Sequence, residues 1–182
     1  MSGYFGIGVE GLSKPMNAGS LFRTANAFGA SFVFTIGATY HLAHGQRADT
    51  SRAVRSLPHY DWADLSALVL PRGCPLIGVE LLEEACELPR FRHPVRAAYV
   101  LGPERGSVSP DLMARCDEVI QIPTQFCVNV AIAGALVMYD RLISTARFGA
   151  RAQNLGAPRA LPAPETWRAP PERSASRSFE KG

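Results

Sequence analysis

The sequence predicts an α/β fold, a parallel β-sheet flanked by helices, on three observations. Tyr4–Val9, Ser31–Ile36, Pro75–Glu80 and Ala97–Leu101 read as strands, and Ser31–Ile36 is continuously apolar, as in a strand buried on both faces. Asn17–Gly29 carries a helical period between the first two runs, and strand–helix–strand with short turns gives parallel neighbours. Finally, Ile120–Arg141, IQIPTQFCVNVAIAGALVMYDR, reads as a strand end, a tight Pro-containing loop and a long helix.

In order, Tyr4–Val9 is a strand and Gly11–Pro15 a loop. In the helix Asn17–Gly29, Leu21, Thr24, Ala25 and Phe28 fall on one face, and Gly29 is placed as the glycine just past its end. After the strand Ser31–Ile36, Thr39–Pro58 is a loop with a short helix near Asp49–Val54. That loop holds His41, His44, Arg47, Arg52 and Arg55, with His59 just beyond. Ser66–Leu70 is a short helix. Pro75–Glu80 is a strand followed by an acidic loop. Ala97–Leu101 is a strand leading into GPERG at Gly102–Gly106, and Pro110–Ala114 is a short helix. Glu118–Ile122 is a buried strand ended by Pro123. The last helix, from Cys127 to Ile143, is apolar almost all round, so one side can face its own sheet and the other needs a partner. Ala131, Gly134 and Ala135 are small enough for a second backbone to approach. Asn129, in its first turn, is a polar group that burial would oblige to be hydrogen-bonded.

Length and composition set limits. A chain of 182 residues with 47% apolar content supports one domain with a tail. Residues 1–146 form the predicted domain. Residues 147–182, rich in Pro, Ala, Arg and Ser and without periodicity, form a predicted extended or disordered tail. That tail is net +4, which leaves the body near −1 of the formal +3. There are seventeen Arg against two Lys, and Arg suits phosphate forks and base stacking. No apolar run approaches a membrane span. The first residues lack a secretory pattern, and Cys74, Cys86, Cys116 and Cys127 lack metal-type spacing; both point to a reducing cytoplasm. His41, His44 and His59 match no standard metal site, so no metal is expected.

Three separated segments, NAGSLFRTANAFG (Asn17–Gly29), LGPERGSVSPDL (Leu101–Leu112) and IPTQFCVNVAIAGALVMYDR (Ile122–Arg141), resemble in order and spacing the three motifs of the SpoU, or TrmH-type, RNA 2′-O-methyltransferases of the SPOUT superfamily. The resemblance covers about residues 4–146. It implies a parallel α/β sheet with a C-terminal trefoil knot, a homodimer, bound S-adenosylmethionine, and methyl transfer to a ribose 2′-hydroxyl of tRNA or rRNA. Near the family's minimum size, tRNA is the favoured substrate.

Carried onto this sequence, the resemblance makes Asn17 and Arg23 the paired residues of the first motif, on a dimer-facing helix. Glu104 is the acidic residue of the second motif and Asn129 the Asn of the third. The positions matching the usual cofactor contacts are Val79, Gly102, Ile122 and Cys127. Cys127 stands where relatives usually have Ser, a change that keeps size and weakens hydrogen bonding. In-line methyl transfer demands alignment more than acid–base power. Arg23 suits a clamp on a substrate phosphate better than a base, because guanidinium stays protonated.

Taken singly, each residue has a plainer reading: Arg23 as a solvated helix residue, Asn17 as an N-cap, and Asn129 as a first-turn structural amide. Glu104 would be an exposed turn acid, Cys127 a small buried hydrophobe, and Arg47, Arg52 and Arg55 a solvated face or a phosphate track. Their joint occurrence favours the functional reading. A dinucleotide oxidoreductase is disfavoured, because Gly6 and Gly8 lack the third glycine opening a helix. The remaining alternative is a SPOUT-like RNA-binding module that has lost catalysis.

Overall fold

In the computed structural model, residues 3–39 and 57–145 are described. They form a seven-stranded, wholly parallel sheet in the order β3-β2-β1-β6-β4-β7-β5. The strands are β1 (Tyr4–Glu10), β2 (Phe32–Ile36), β3 (His59–Trp62), β4 (Leu76–Val79), β5 (Cys86–Glu87), β6 (Arg96–Leu101) and β7 (Glu118–Gln121). Helix α1 (Pro15–Ala27) joins β1 to β2, α2 (Pro110–Met113) precedes β7, and α3 (Val130–Thr145) follows it. Short 3-10 turns occupy Leu65–Ala67 and Leu88–Arg90.

The continuous apolar run of β2 has the expected cause. One face of the sheet (Ile7, Val9, Val33, Ile77, Leu101) packs under α1 and α3. The other (Phe34, Leu76, Ala98, Val100) packs under α2 and the 68–76 segment. The two central glycines of β1 serve that second face. A Cβ on Gly6 would meet the Phe32 ring at 2.2 Å, and one on Gly8 the Phe34 ring at 2.3 Å. They are mid-strand clearance for aromatic rings, not a phosphate loop.

Helices α1 and α3 cross closely because Gly134 has no side chain: a Cβ there would lie 2.3 Å from Leu21 Cδ1. The small residue therefore admits a helix of the same chain, where the sequence suggested a second backbone. Gly29, at φ +74°, sits just past α1 as expected. The far end of α3 is fixed by Arg141, only 5% exposed. Its guanidinium donates to Pro94 O (2.6 Å), Val95 O (2.8 Å) and the Tyr99 hydroxyl (3.1 Å), satisfying carbonyls beside the start of β6.

Three differences from the sequence reading have local causes. The last helix begins at Val130 rather than Cys127, because Cys127–Asn129 complete the loop that turns the chain onto the sheet. Strand β3 went unforeseen, since an edge strand with half-exposed HYDW lacks an apolar run. Strand β5, two residues long, lay within the acidic loop. His41, His44, Arg47, Arg52, Arg55, the short helix near Asp49–Val54 and the tail from 147 onward lie outside the described residues.

Candidate active site

In a parallel sheet the loops that follow the strands gather on one rim, where α/β folds bind ligands. The tetrapeptide Ile-Gly-Val-Glu ends β1 at Ile7–Glu10 and recurs at Ile77–Glu80, where Glu80 directly follows β4. The two strands flank β6 in matching register: Val9 and Val79 both pair with Leu101. The two carboxylates therefore bracket the loop that leaves Leu101. Glu10 accepts from Ser109 N (2.7 Å) and from the Ser109 hydroxyl. Glu80 accepts from Val108 N (2.8 Å) and Leu81 N (3.1 Å). Gly102 opens the loop where a Cβ would lie 2.8 Å from Val108 N. The backbone can double back there only without a side chain.

From this loop Glu104 reaches the start of α1. Its carboxylate accepts from Ser13 N (3.1 Å), the Ser13 hydroxyl (2.9 Å), Lys14 N (2.9 Å) and Asn17 Nδ2 (3.0 Å). Helix α1 has no acidic residue in its first turn and no side-chain cap of its own; Glu104 supplies the negative charge its N-terminus favours. Partial burial pushes the Glu104 carboxyl up, but the hydrogen bonds from Asn17 and Ser13 outweigh it and hold it below its ordinary range. It is an anchored anion, not a proton carrier.

The chain of contacts continues through two amides. Asn17 Oδ1 accepts from Asn129 Nδ2 at 3.1 Å, and Asn129 Oδ1 accepts from Ala131 N at 2.9 Å. Asn129 is thus the cap of α3 rather than a residue of its first turn. Asn17 is no N-cap: Lys14 holds that position, and Asn17 links two other elements. Three of the four residues expected to act in chemistry, Glu104, Asn17 and Asn129, share one hydrogen-bonded row. The fourth, Arg23, is exposed on α1, six residues beyond Asn17.

Beside this row lies an open cleft between the ends of β4 and β6, the 122–128 loop and the start of α3. Val79, Gly102, Ile122 and Cys127 all line it, so the structure brings the four expected cofactor positions together. Leu101, Val130 and Ala133 add apolar wall. Thr124 closes the 122–127 loop on itself, its hydroxyl donating to Phe126 O at 2.9 Å. Cys127 is exposed at the rim, which corrects the reading of it as a small buried hydrophobe. Apolar walls, backbone at Gly102 and Ile122, and the carboxylate of Glu80 at the edge fit a nucleoside-like ligand. Among the described residues no group of His, Cys, Asp or Glu could hold a metal ion, and no helix is long and apolar enough to cross a membrane.

Glu10, Glu80 and Ser109 were not singled out from the sequence. The repeated Ile-Gly-Val-Glu was the available signal: a carboxylate closing two otherwise apolar strands marks the rim where backbone N–H groups need acceptors.

Comparison with known proteins identifies the family of the chain. The model of the SpoU rRNA Methylase family matches residues 5–139. Among curated proteins, the chain is 28% identical over 138 residues to mouse tRNA (guanosine(18)-2′-O)-methyltransferase TARBP1, covering 71% of this chain and 9% of that protein. It is 24% identical over 137 residues to the Escherichia coli K12 tRNA (guanosine(18)-2′-O)-methyltransferase, covering 72% of this chain and 60% of that one. The chain therefore spans less than two thirds of either relative. Among solved structures, the AdoMet-bound rRNA methyltransferase of Sinorhizobium meliloti superposes with a TM-score of 0.69 at 19% identity, over 80% of this chain and 58% of that one; at that identity it bears on the fold alone. With a family model matched across nearly the whole described body, and its three motifs meeting at one rim, the chain belongs to the SpoU rRNA Methylase family.

Proposed function

We propose that this chain is an S-adenosylmethionine-dependent RNA methyltransferase acting on a ribose 2′-hydroxyl, with tRNA favoured over rRNA. The observation that carries the reading is the Glu104–Asn17–Asn129 row lying against the cleft lined by Val79, Gly102, Ile122 and Cys127. Both curated relatives described above are named as tRNA 2′-O-methyltransferases, which supports the tRNA preference. The intact row argues against a module that has lost catalysis.

The residues of the cleft would hold S-adenosylmethionine through apolar walls and backbone at Gly102 and Ile122. When bound, that cofactor supplies an electrophilic methyl group on a sulfonium that leaves as a neutral thioether. What the protein adds is position. Glu104 fixes the loop over the cleft to α1, and Asn17 and Asn129 fix α1 to α3, so the floor of the site is preorganised. Arg23 holds the phosphate beside the target ribose and keeps its 2′-oxygen in line. The hydroxyl proton passes to that phosphate or to water, since neither guanidinium nor the anchored Glu104 accepts it.

Three further features belong to this proposal. The first is assembly as a homodimer through α1 and α3. Ile132 (56% exposed), Leu136, Tyr139 and Met16 leave an apolar outer surface on those helices, of the kind an isologous contact covers. The second is a C-terminal trefoil knot within a domain of residues 1–146, with residues 147–182 as a tail. The third is a cytoplasmic setting, consistent with cysteines that are all unbridged.

The test incubates the purified chain with methyl-labelled S-adenosylmethionine and total RNA from cells lacking the gene, then sizes the labelled RNA and digests it to nucleosides. Label in 2′-O-methylnucleosides of tRNA size is expected. No transfer to any RNA would overturn the assignment.

A further inference from the structure

The outer edge of the sheet carries an aromatic surface that neither the cleft nor the carboxylate–amide row uses. Strand β3 is His59-Tyr60-Asp61-Trp62, so His59 and Asp61 share one face and Tyr60 and Trp62 the other. On the first face His59 lies against Phe22, ring centroids 5.1 Å apart, and Phe22 directly precedes Arg23. On the opposite face the rings of Tyr60 and Trp62 are parallel within 10° at 5.8 Å. Phe32 and Phe34 back them at 6.0 and 5.4 Å. Tyr60 remains 50% and Val69 74% exposed, and with Leu70 and Pro71 they rim an open slot.

We propose that this slot is a stacking platform for unpaired RNA nucleotides flanking the methylated position. The inference rests on the RNA reading above and adds a second contact surface to it. Aromatic side chains at i and i+2 on an open sheet face are the arrangement on which successive unstacked bases lie. The surroundings suit a polyanion. Arg72 follows Pro71 in the chain. Arg115 is held beside the turn carrying Val69, donating to Leu65 O at 2.6 Å and Leu68 O at 3.3 Å. Arg96 Nη1 lies 3.8 Å from the position of a Cβ on Gly73. All three arginines are exposed. The Asp64 carboxylate on this side already accepts from Ser66 N and Ala67 N. Flat rings offer stacking faces to bases, and guanidinium groups offer planar forks to phosphates.

Position supports the same partner. Glu10 pairs with Ile36, and Ile36 with Trp62. Trp62 thus stands two strand spacings, roughly 10 Å, from the rim that holds the active-site loops. Phe22, the neighbour of Arg23 in the chain, packs on His59 of the same strand, so the platform lies on the other face of the strand nearest Arg23.

The test uses the full chain carrying Trp167→Phe, which leaves Trp62 as its only tryptophan. Titration with a ten-nucleotide oligoadenylate and with bulk tRNA should quench Trp62 fluorescence. Tyr60→Ala should weaken both affinities about tenfold, the order expected for one lost base stack. Tyr60→Phe should retain them, with circular dichroism reporting the fold. In methylation, Tyr60→Ala should raise KM for RNA and spare kcat. Absence of quenching, or parental RNA affinity in Tyr60→Ala, overturns the platform. So does a changed sedimentation coefficient with unchanged RNA affinity, which would assign the slot to a protein contact. Tyr60-dependent quenching in a chain that methylates no RNA would uphold the platform and defeat the proposed activity. Methylation with parental KM in Tyr60→Ala would do the reverse.

Discussion

Asn129 donates its amide to Asn17 Oδ1 at 3.1 Å, across 112 positions of sequence, while its own Oδ1 caps α3 through Ala131 N. One side chain therefore starts a helix and joins that helix to another. Asn17 repeats the logic with Glu104. Each amide spends its acceptor on one neighbour and its donor on the next, so the row has one consistent orientation, and removing any member leaves a donor or acceptor without its partner.

Asn129→Ala should therefore cost about 1 kcal/mol of stability through the lost cap. It should cost more in function than in folding. With α1 no longer tied to α3, methyl transfer is expected to fall at least tenfold while the unfolding midpoint shifts by only a few degrees. Denaturation and single-turnover methylation on the same preparations would check both. A loss of rate no larger than the loss of folded protein would reduce Asn129 to its capping role.

Glu80→Gln probes the bracket around the Leu101 loop. The carboxylate accepts from Val108 N on one oxygen and Leu81 N on the other; an amide turns one of those acceptors into a donor facing a donor. The mismatch should cost about 1–3 kcal/mol. Because Glu80 and Gly102 both line the cleft, S-adenosylmethionine affinity measured by calorimetry should weaken about tenfold. Glu10→Gln, which acts on the same loop through Ser109 but does not line the cleft, should weaken it less.

How far the sequence revealed this site depends on which physical signal each residue leaves. Strand β2 announced itself as a continuous apolar run, and Gly29 by its place after a helical period. Edge strand β3 left no such trace, since none of its four residues is fully buried and HYDW carries no apolar run. Asn17, Glu104 and Asn129 were legible because each is polar at a motif position; that they form one row was not, because the row closes over 87 and 112 positions of sequence. Glu10 and Glu80 were not singled out, although the repeated Ile-Gly-Val-Glu held the cue. The start of α3 was read three residues early because Cys127 and Val128 continue its apolar composition; composition does not record where the capping amide sits.

Acid should weaken the fold in two stages. Burial lowers His93 below the ordinary imidazole value of 6.5, against the opposing pull of its Asp140 hydrogen bond, with Arg141 adding to the lowering. The ring also meets the Tyr99 hydroxyl at 2.6 Å. Burial lowers His59 likewise, with Asp61 opposing. For both, the unfolded chain takes the proton first, so their contribution is complete above 6.5 and is lost as pH falls through the lower folded values. Glu104, held below 4.5, adds a second loss on further acidification. The melting temperature should be level above about pH 7 and decline below about 6.5. His93→Gln should flatten the first decline; an unchanged slope in that variant would exclude His93 as its source.

Arg23 is the residue on which the chemical proposal can be tested most directly. It is exposed on α1, next to Phe22, which is buried and packs on His59. The helix beneath it is fixed twice: at its start by the Glu104 contacts, and midway by the close approach of Leu21 to Gly134. Its guanidinium is thus carried on a rigid base. An exposed arginine replaced by alanine ordinarily changes stability by within about half a kcal/mol, so Arg23→Ala should fold, assemble and bind S-adenosylmethionine as the parent does. If the fork holds the phosphate that aligns the ribose oxygen, the rate should nevertheless fall by on the order of 100-fold, as when an oriented transition-state contact is removed. Arg23→Lys should recover little of it, because a point charge does not reproduce a planar two-pronged donor. Single-turnover methylation of a confirmed RNA by both variants, with circular dichroism as the folding control, is the measurement. A near-parental rate in Arg23→Ala would remove Arg23 from the mechanism and leave phosphate positioning to a group elsewhere on the chain.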